Sequence, residues 1–487
     1  MAKNEIRLRY TGFIVFLMNV LSIATRFAFV IMVTRSVSTE EFGIWGNVSD
    51  VFGYFIVLAG VFPFWTTRFI ARGHHGSAKT GLIANILVSL ASASIYLLLL
   101  PILLPALQIS AVYTLLYTLL SIEIIESHLL SVLEAILYAR QPQSRGYGIL
   151  LYEVSKVILA FVFIIQLQLG LLGALLSMLA SYFIQILFYL KLTAGEFKEG
   201  MRWAYLKEWL KASPINLYDI IGNRIAAFTL IFLFLYGGEL ARAYYGAVIT
   251  ITGVIGYSSA LAYALYPKLL SESSVDDVHT SLKMVLTFAI PMTVGAIILS
   301  DAYLTILNPV YTPAKQVLCI LALATLCGVL SQVFHMVVVG SEKVDIDAKI
   351  PFRQLMRSRL FKIFTLPYIQ SAISLPVTFL TLVYIVKTPL EATTYLALIG
   401  LTIDSAMLLC RYVIAQKSLS FSFPWKSVAK YVIASTVMAF FLLVVSPPAR
   451  LSFTVGLTII GAFIYFAALA SIDGETRLLV KSILRKI

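Results

Sequence analysis

EEFGIWGNVSDVFGY (40–54) and YYGAVITITGVIGY (244–257) share one pattern. In the first stretch Phe42-Gly43 is followed after nine residues by Gly53-Tyr54; in the second, Tyr245-Gly246 is followed after nine by Gly256-Tyr257. Each opens a long apolar run that ends near a proline, Pro63 or Pro267. Each is also preceded by a short turn and by an apolar run that carries one arginine, Arg26 or Arg224. The offset is 203 residues, long enough to read as a duplicated lobe.

The composition of the chain says what kind of lobe. Of 487 residues, 60% are hydrophobic and only 13% charged, and the mean hydropathy is +0.91. That balance belongs to a polytopic membrane protein. A helix needs roughly 20 mainly apolar residues to cross the hydrocarbon. Fourteen such runs are legible, near 11–34, 48–67, 80–106, 111–138, 148–168, 170–190, 213–236, 243–267, 282–300, 314–339, 360–386, 391–412, 427–446 and 451–471. The two copies of the pattern are offset by six runs, an even number, so both have the same orientation, a parallel repeat. The expectation is an all-α protein of about 14 transmembrane helices: two six-helix lobes and two further C-terminal helices. Its divisions are an N-terminal lobe (1–194), an amphipathic connector (195–212), a C-terminal lobe (213–415) and a final segment (416–487).

Loop charge tests the count. With the N-terminus in the cytoplasm, 29 Lys and Arg residues fall on inside segments and five outside: Arg35, Arg242, Lys315, Lys387 and Arg450. This asymmetry predicts cytoplasmic termini and a place in the cell membrane. The net charge of +13 then needs no nucleic acid. Arg7 and Arg9 before the first run could suggest a signal peptide, but a run of about 24 residues without a small-residue cleavage site reads as an uncleaved span. The stretch EFKEGMRWAYLKEWLK (196–211) puts Trp203, Leu206 and Leu210 on one helical face, as expected at a cytoplasmic membrane surface. No outside loop exceeds about 15 residues, which leaves no room for an external catalytic domain. Asp345-Ile346-Asp347 is a D-x-D, a motif also used by metal-dependent glycosyltransferases, but no nucleotide-binding domain surrounds it. Cys319, Cys327 and Cys410 lie in apolar runs without metal-ligand spacing. The chain is therefore read as a non-enzyme without cofactor or metal.

Three basic residues remain inside the spans: Arg26, Lys156 and Arg224. A charge at the bilayer centre costs roughly 2.5–3.5 kcal/mol on insertion scales, so such residues face protein or water. Carboxylates able to pair with an arginine are Asp50, Glu123, Glu126, Asp219 and Asp404. Glu123, Glu126 and Glu134 recur near one azimuth of the fourth run, an acidic stripe with His128 off its axis. A Glu134–Lys156 pair and a proton or sodium relay are both open readings of that stripe. Asp219 and Asn223 share a helix face, with Arg224 about 140° away from Asp219.

The segment RSVSTEEFGIWGNVSDVFGYFIVLAGVFPFWTTRFIARG (35–73) resembles the start of Wzx-type polysaccharide-biosynthesis flippases of the multidrug/oligosaccharidyl-lipid/polysaccharide (MOP) exporter superfamily. Glu41-Phe42-Gly43 and Arg68 fit that pattern, whereas the usual Leu-Gly is replaced by Ser36-Val37-Ser38. Tyr244-Tyr245-Gly246 and Tyr266-Pro267 are similar as well. The resemblance implies a MATE-like architecture, alternating access by two lobes, and a lipid-linked oligosaccharide as cargo, with glycan-assembly enzymes as possible partners beside membrane lipids. It also implies that Arg26, Arg224 and Arg68 receive the anionic head group. Asp50, Glu123, Glu126, Asp219, Asn223 and Lys156 are the expected polar-cavity or ion-coupling residues, the ion being a proton or sodium. The rival readings are an ion-coupled multidrug or metabolite antiporter on the same fold and, more remotely, a membrane glycosyltransferase or polymerase.

Overall fold

The structure, a computed structural model, describes residues 51–106, 109–271, 274–307, 309–342, 352–445 and 450–474, with scattered positions between 13 and 48. Hydrocarbon offers backbone groups no water, so a spanning segment must satisfy its N–H and C=O groups internally. The described residues meet that demand as helices and turns, without a strand. Ten of their helices are long and apolar enough to cross a membrane, from Ser77–Pro105 to Ser452–Ile472. The chain is an all-helical, multi-pass membrane protein.

The other four expected runs differ for separate reasons. The first falls largely outside the described residues, although its described positions from Phe13 to Val33 are helical. The second contains a shorter apolar helix, Val57–Ala71. The fourth is helical over Thr114–Arg140, but Glu123, Glu126, His128 and Glu134 dilute its hydropathy. The seventh is continuous with the amphipathic connector: one helix, Trp203–Ala226, runs through Pro214 without a break.

Among the described residues, helices longer than ten residues are α1 (Val61–Ala71), α2 (Ser77–Ala106), α3 (Thr114–Arg140), α4 (Gln143–Ala160), α5 (Gly170–Thr193), α6 (Trp203–Ala226) and α7 (Gly238–Gly256). They continue as α8 (Val275–Ile298), α9 (Lys315–Ser341), α10 (Arg359–Tyr384), α11 (Pro389–Ser418), α12 (Trp425–Val445) and α13 (Leu451–Ile472). The chain forms two compact units. The first is Met1–Ile220 with Tyr266–Ser273 and Glu342–Phe361; the second is Ile221–Leu265, Ser274–Ser341 and Lys362–Ile487.

In the first unit Tyr96, Tyr117, Leu120, Ile124, Leu171 and Leu175 are buried together. The Tyr96 hydroxyl donates to the Tyr117 carbonyl at 2.6 Å. Helices in lipid gain little hydrophobic drive from meeting, so close van der Waals fit and polar bonds hold them. Gly148 shows this on α4: a Cβ there would lie 2.1 Å from Cε1 of the buried Tyr189 ring of α5. The break between α4 and α5 is marked by left-handed Gln168 (φ 54°) and Gly170 (φ 51°), which follow a π-helical turn at Phe161–Gln166.

Two of the packed clusters in the second unit join its long helices. One joins Tyr244 and Val248 of α7 to Val317, Leu318 and Leu321 of α9 and Ala397 of α11. The other gathers Leu286 and Ile290 of α8 with Tyr431, Met438 and Leu442 of α12 and Tyr465 of α13. The Tyr465 hydroxyl donates to the Thr287 carbonyl at 2.8 Å, so the last two helices are fastened to α8.

Candidate functional site

Glu153 and Lys156 are three residues apart on α4, a spacing that brings side chains together on a helix. The Lys156 Nζ lies 2.8 Å from Glu153 Oε2. Glu153 Oε1 accepts from Arg26 Nε, also at 2.8 Å, so one carboxylate stands between two cations. The Lys156 ammonium further sits 4.7 Å from the Tyr152 ring centre and 5.0 Å from that of Phe29, within cation–π range. Side-chain exposure is uneven: 3% for Glu153, 8% for Lys156, and 44% for Arg26.

Arg26 and Glu153 line a cavity of about 250 Å³ in the first unit. Its wall is mostly polar, with Ser127, Ser131 and Glu134 from α3, Tyr152 from α4, and Tyr182 and Gln185 from α5. Tyr152 and Tyr182 stack at 4.4 Å with an interplanar angle of 13°. Glu134 accepts from Arg145 Nε at 2.9 Å across the turn between α3 and α4.

These contacts add one pairing to those read from the sequence and correct another. Arg26 meets Glu153, which was absent from its expected carboxylate partners. The expected Glu134–Lys156 pair does not form, because each has a nearer partner: Arg145 just across a turn and Glu153 one helical turn away. The acidic stripe of α3 is also divided by depth. Glu134 faces the cavity, whereas Glu123 and Glu126 are buried elsewhere along the helix, outside its lining. Glu126 Oε2 has no hydrogen-bond partner among the described residues. His128 is buried, its Nδ1 2.8 Å from the Ile124 carbonyl, and Asn85 Nδ2 donates to the His128 carbonyl at 2.5 Å.

Arg68 is fully buried in the first unit. Its Nη2 donates to the Glu342 carbonyl at 2.8 Å, and Arg72 donates to the same oxygen. Its guanidinium also lies 5.7 Å from the Phe64 ring centre. Asp219, half-buried on α6, belongs to the first unit, whereas Asn223 and Arg224 are exposed on α6 in the second. Asp404 of α11 accepts from Gln370 of α10 at 3.3 Å. Asp50 and the D-x-D at Asp345 and Asp347 lie outside the described residues. Among the described residues, no group of three or more His, Cys, Asp or Glu is arranged to hold a metal ion.

The sequence reading missed Glu153 as the hub, as well as the Tyr152–Tyr182 stack and Gln185. The signal available was the pair of opposite charges at i and i+3 within an apolar run.

No family model and no curated protein matches the chain. Solved structures do. A Vibrio cholerae MATE transporter variant is 14% identical with a TM-score of 0.65, over 85% of this chain and 97% of that one. A MATE protein in its bent conformation is 15% identical with a TM-score of 0.64, over 87% and 96%. A MOP superfamily transporter from Pyrococcus furiosus, for which reversed pocket polarity suggests a different function, is 16% identical with a TM-score of 0.60, over 85% and 95%. The fold expected from the resemblance is the one observed: the chain has the MATE fold.

Proposed function

We propose that the chain is a transporter of the flippase type. It carries a polyprenyl-phosphate- or diphosphate-linked oligosaccharide from the cytoplasmic to the outer leaflet by alternating access, for cell-surface polysaccharide or glycoprotein assembly. The observation that carries this reading is the Arg26–Glu153–Lys156 cluster on a polar cavity. Two cations share one carboxylate there, and the more exposed cation is an arginine, whose planar fork of donors matches phosphate oxygens. The cavity, about 250 Å³, is smaller than the roughly 300–1,000 Å³ of pockets that enclose drug-sized molecules. It suits a head group or a single sugar, with the polyprenyl tail left in lipid. The reversed pocket polarity of the Pyrococcus furiosus transporter supports reading cargo from cavity charge in this fold.

Arg224, exposed on α6 in the second unit, is the other arginine proposed to bind a head group. Arg68 would join only in a state in which it leaves the Glu342 carbonyl. Replacing Arg26 or Arg224 with Ala is expected to abolish translocation of the glycan-lipid in intact cells while the protein stays in the membrane. Normal translocation by both variants would overturn the head-group assignment.

A second reading, an ion-coupled multidrug or metabolite antiporter, is favoured by the two carboxyls buried on α3, Glu123 and Glu126. It predicts efflux of cationic dyes that is lost in Glu126→Gln, whereas the flippase reading predicts no dye efflux in the wild type.

A further inference from the structure

The first turns of α6 have two unlike faces. At about 100° per residue, Tyr205, Trp209 and Ala212 fall on one side of the helix and Trp203, Lys207 and Leu210 on the other. The first side is packed within the first unit. Trp209 and Ala212 are buried, and the Tyr205 and Trp209 rings each lie 5.3 Å from the buried Phe69 ring of α1. The opposite side is open: Trp203 is 69% exposed and Leu210 56%, and Lys207 between them is exposed as well.

Charge here is one-sided. The carboxylates of residues 196–211 each have a partner: Glu196 meets Arg140 at 3.2 Å, Glu199 meets His75 at 2.6 Å and Glu208 meets Lys211 at 2.8 Å. Exposed Lys198, Arg202 and Lys207 pair with no carboxylate among the described residues. Depth is fixed by a hydrogen bond. The Arg202 amide donates to Thr80 Oγ1 at 2.9 Å, and Thr80 stands in the first turn of α2, a helix long and apolar enough to cross a membrane. Trp203 is therefore level with the end of a span, the depth at which tryptophan gathers. Leu210, two turns further along α6, lies toward the hydrocarbon, and the lysine between them can run its stem along apolar surface with its ammonium at the head groups.

We infer that the outer face of α6 is a site for anionic phospholipids of the surrounding leaflet. Trp203 and Leu210 enter the leaflet, and Lys198, Arg202 and Lys207 take the lipid phosphates. Near an anionic membrane surface each such cation adds to the attraction, and an apolar face flanked by cations is the composition of an interfacial helix. The packed face explains why the seat is stable: Phe69, Tyr205 and Trp209 hold the helix so that the opposite side stays turned to lipid. The inference does not depend on the cargo.

Native mass spectrometry of the detergent-purified full chain, titrated with dioleoyl phosphatidylglycerol or dioleoyl phosphatidylcholine, tests the charge. The first phosphatidylglycerol is expected to bind about tenfold more tightly than phosphatidylcholine, and the preference should vanish in Lys198→Gln/Arg202→Gln/Lys207→Gln. Lys387→Gln/Lys417→Gln, at exposed positions of the second unit, should keep it. Equal affinities in the wild type would overturn the inference, as would a preference that survives the triple variant. An equal loss in the second-unit pair would overturn it too, since it would mark a diffuse field. The seating has its own readout, the Trp203 emission obtained as the difference between wild type and Trp203→Phe in nanodiscs. Brominated lipid tails are expected to quench it by about half, as befits an indole at the membrane interface. Unquenched emission at the wavelength of a water-exposed indole is the result that a soluble protein docked on this face requires, and it would overturn the lipid assignment. This second readout decides the matter should the triple variant fail to fold.

Discussion

Arg26 stands out because a guanidinium in an apolar run is expensive, and that cost is readable from one residue and its neighbours. Its partner is not readable in the same way. Glu153 is 127 positions away, and which carboxylate meets Arg26 depends on the register between two helices. Hydropathy says which residues are apolar; it does not set that register. Arg68 shows the same division. A charge at the end of an apolar run looks like an exposed anchor, yet the side chain is fully buried on a backbone carbonyl. Arg68→Ala is expected to remove a charge-assisted bond worth about 1.5–3 kcal/mol and to lower the thermal midpoint in detergent. Arg68→Lys should restore only part of it, because an ammonium lacks the planar fork and packs less well on Phe64. A wild-type midpoint for Arg68→Ala would show that Arg72 alone suffices at that carbonyl.

Helices were the most legible level, since a span must be long and apolar whatever it packs against. The exceptions have physical reasons. The connector and the seventh run differ in polarity, but backbone hydrogen bonding is indifferent to that change and continues through α6. The expected boundary between the runs 148–168 and 170–190 is a real break, and left-handed Gln168 and Gly170 make the turn. Close approach between helices leaves a subtler mark. Gly148 is the point where α4 admits the Tyr189 ring, whose hydroxyl is held by Gln185 at 3.0 Å and in turn bonds the Arg145 carbonyl at 3.2 Å. The ring cannot yield without breaking those bonds. Gly148→Ala should therefore cost about 1–3 kcal/mol through overpacking, read as a lower thermal midpoint. Tyr189→Phe in the same background frees the ring from those bonds and should relieve part of the clash, and Tyr189→Ala should relieve it more fully. An unchanged midpoint for Gly148→Ala would mean that the two helices separate more easily than their packing implies.

At the scale of the whole molecule, fold class followed from the apolar runs of about 20 residues, a length that crosses lipid as a helix with its backbone bonds satisfied internally. Orientation rests on a different quantity, the placement of Lys and Arg. Five of these lie on segments assigned outside against 29 inside, so inverting the molecule would carry many more charges across the bilayer. This sets a prediction that does not depend on cargo. In a background with Cys319, Cys327 and Cys410 changed to Ser, Arg450→Cys should react with a membrane-impermeant maleimide in intact cells. Lys3→Cys and Lys426→Cys should react only after permeabilisation. Lys426 lies at the start of α12 and Arg450 immediately precedes α13, so the two sites bracket a single crossing. Labelling of Lys3→Cys in intact cells would place the N-terminus outside. Labelling of Lys426→Cys and Arg450→Cys from the same side would show that α12 does not cross. Reaction on opposite faces, with Lys3→Cys protected, is the result required by an outward delivery of cargo from a cytoplasmic loading face.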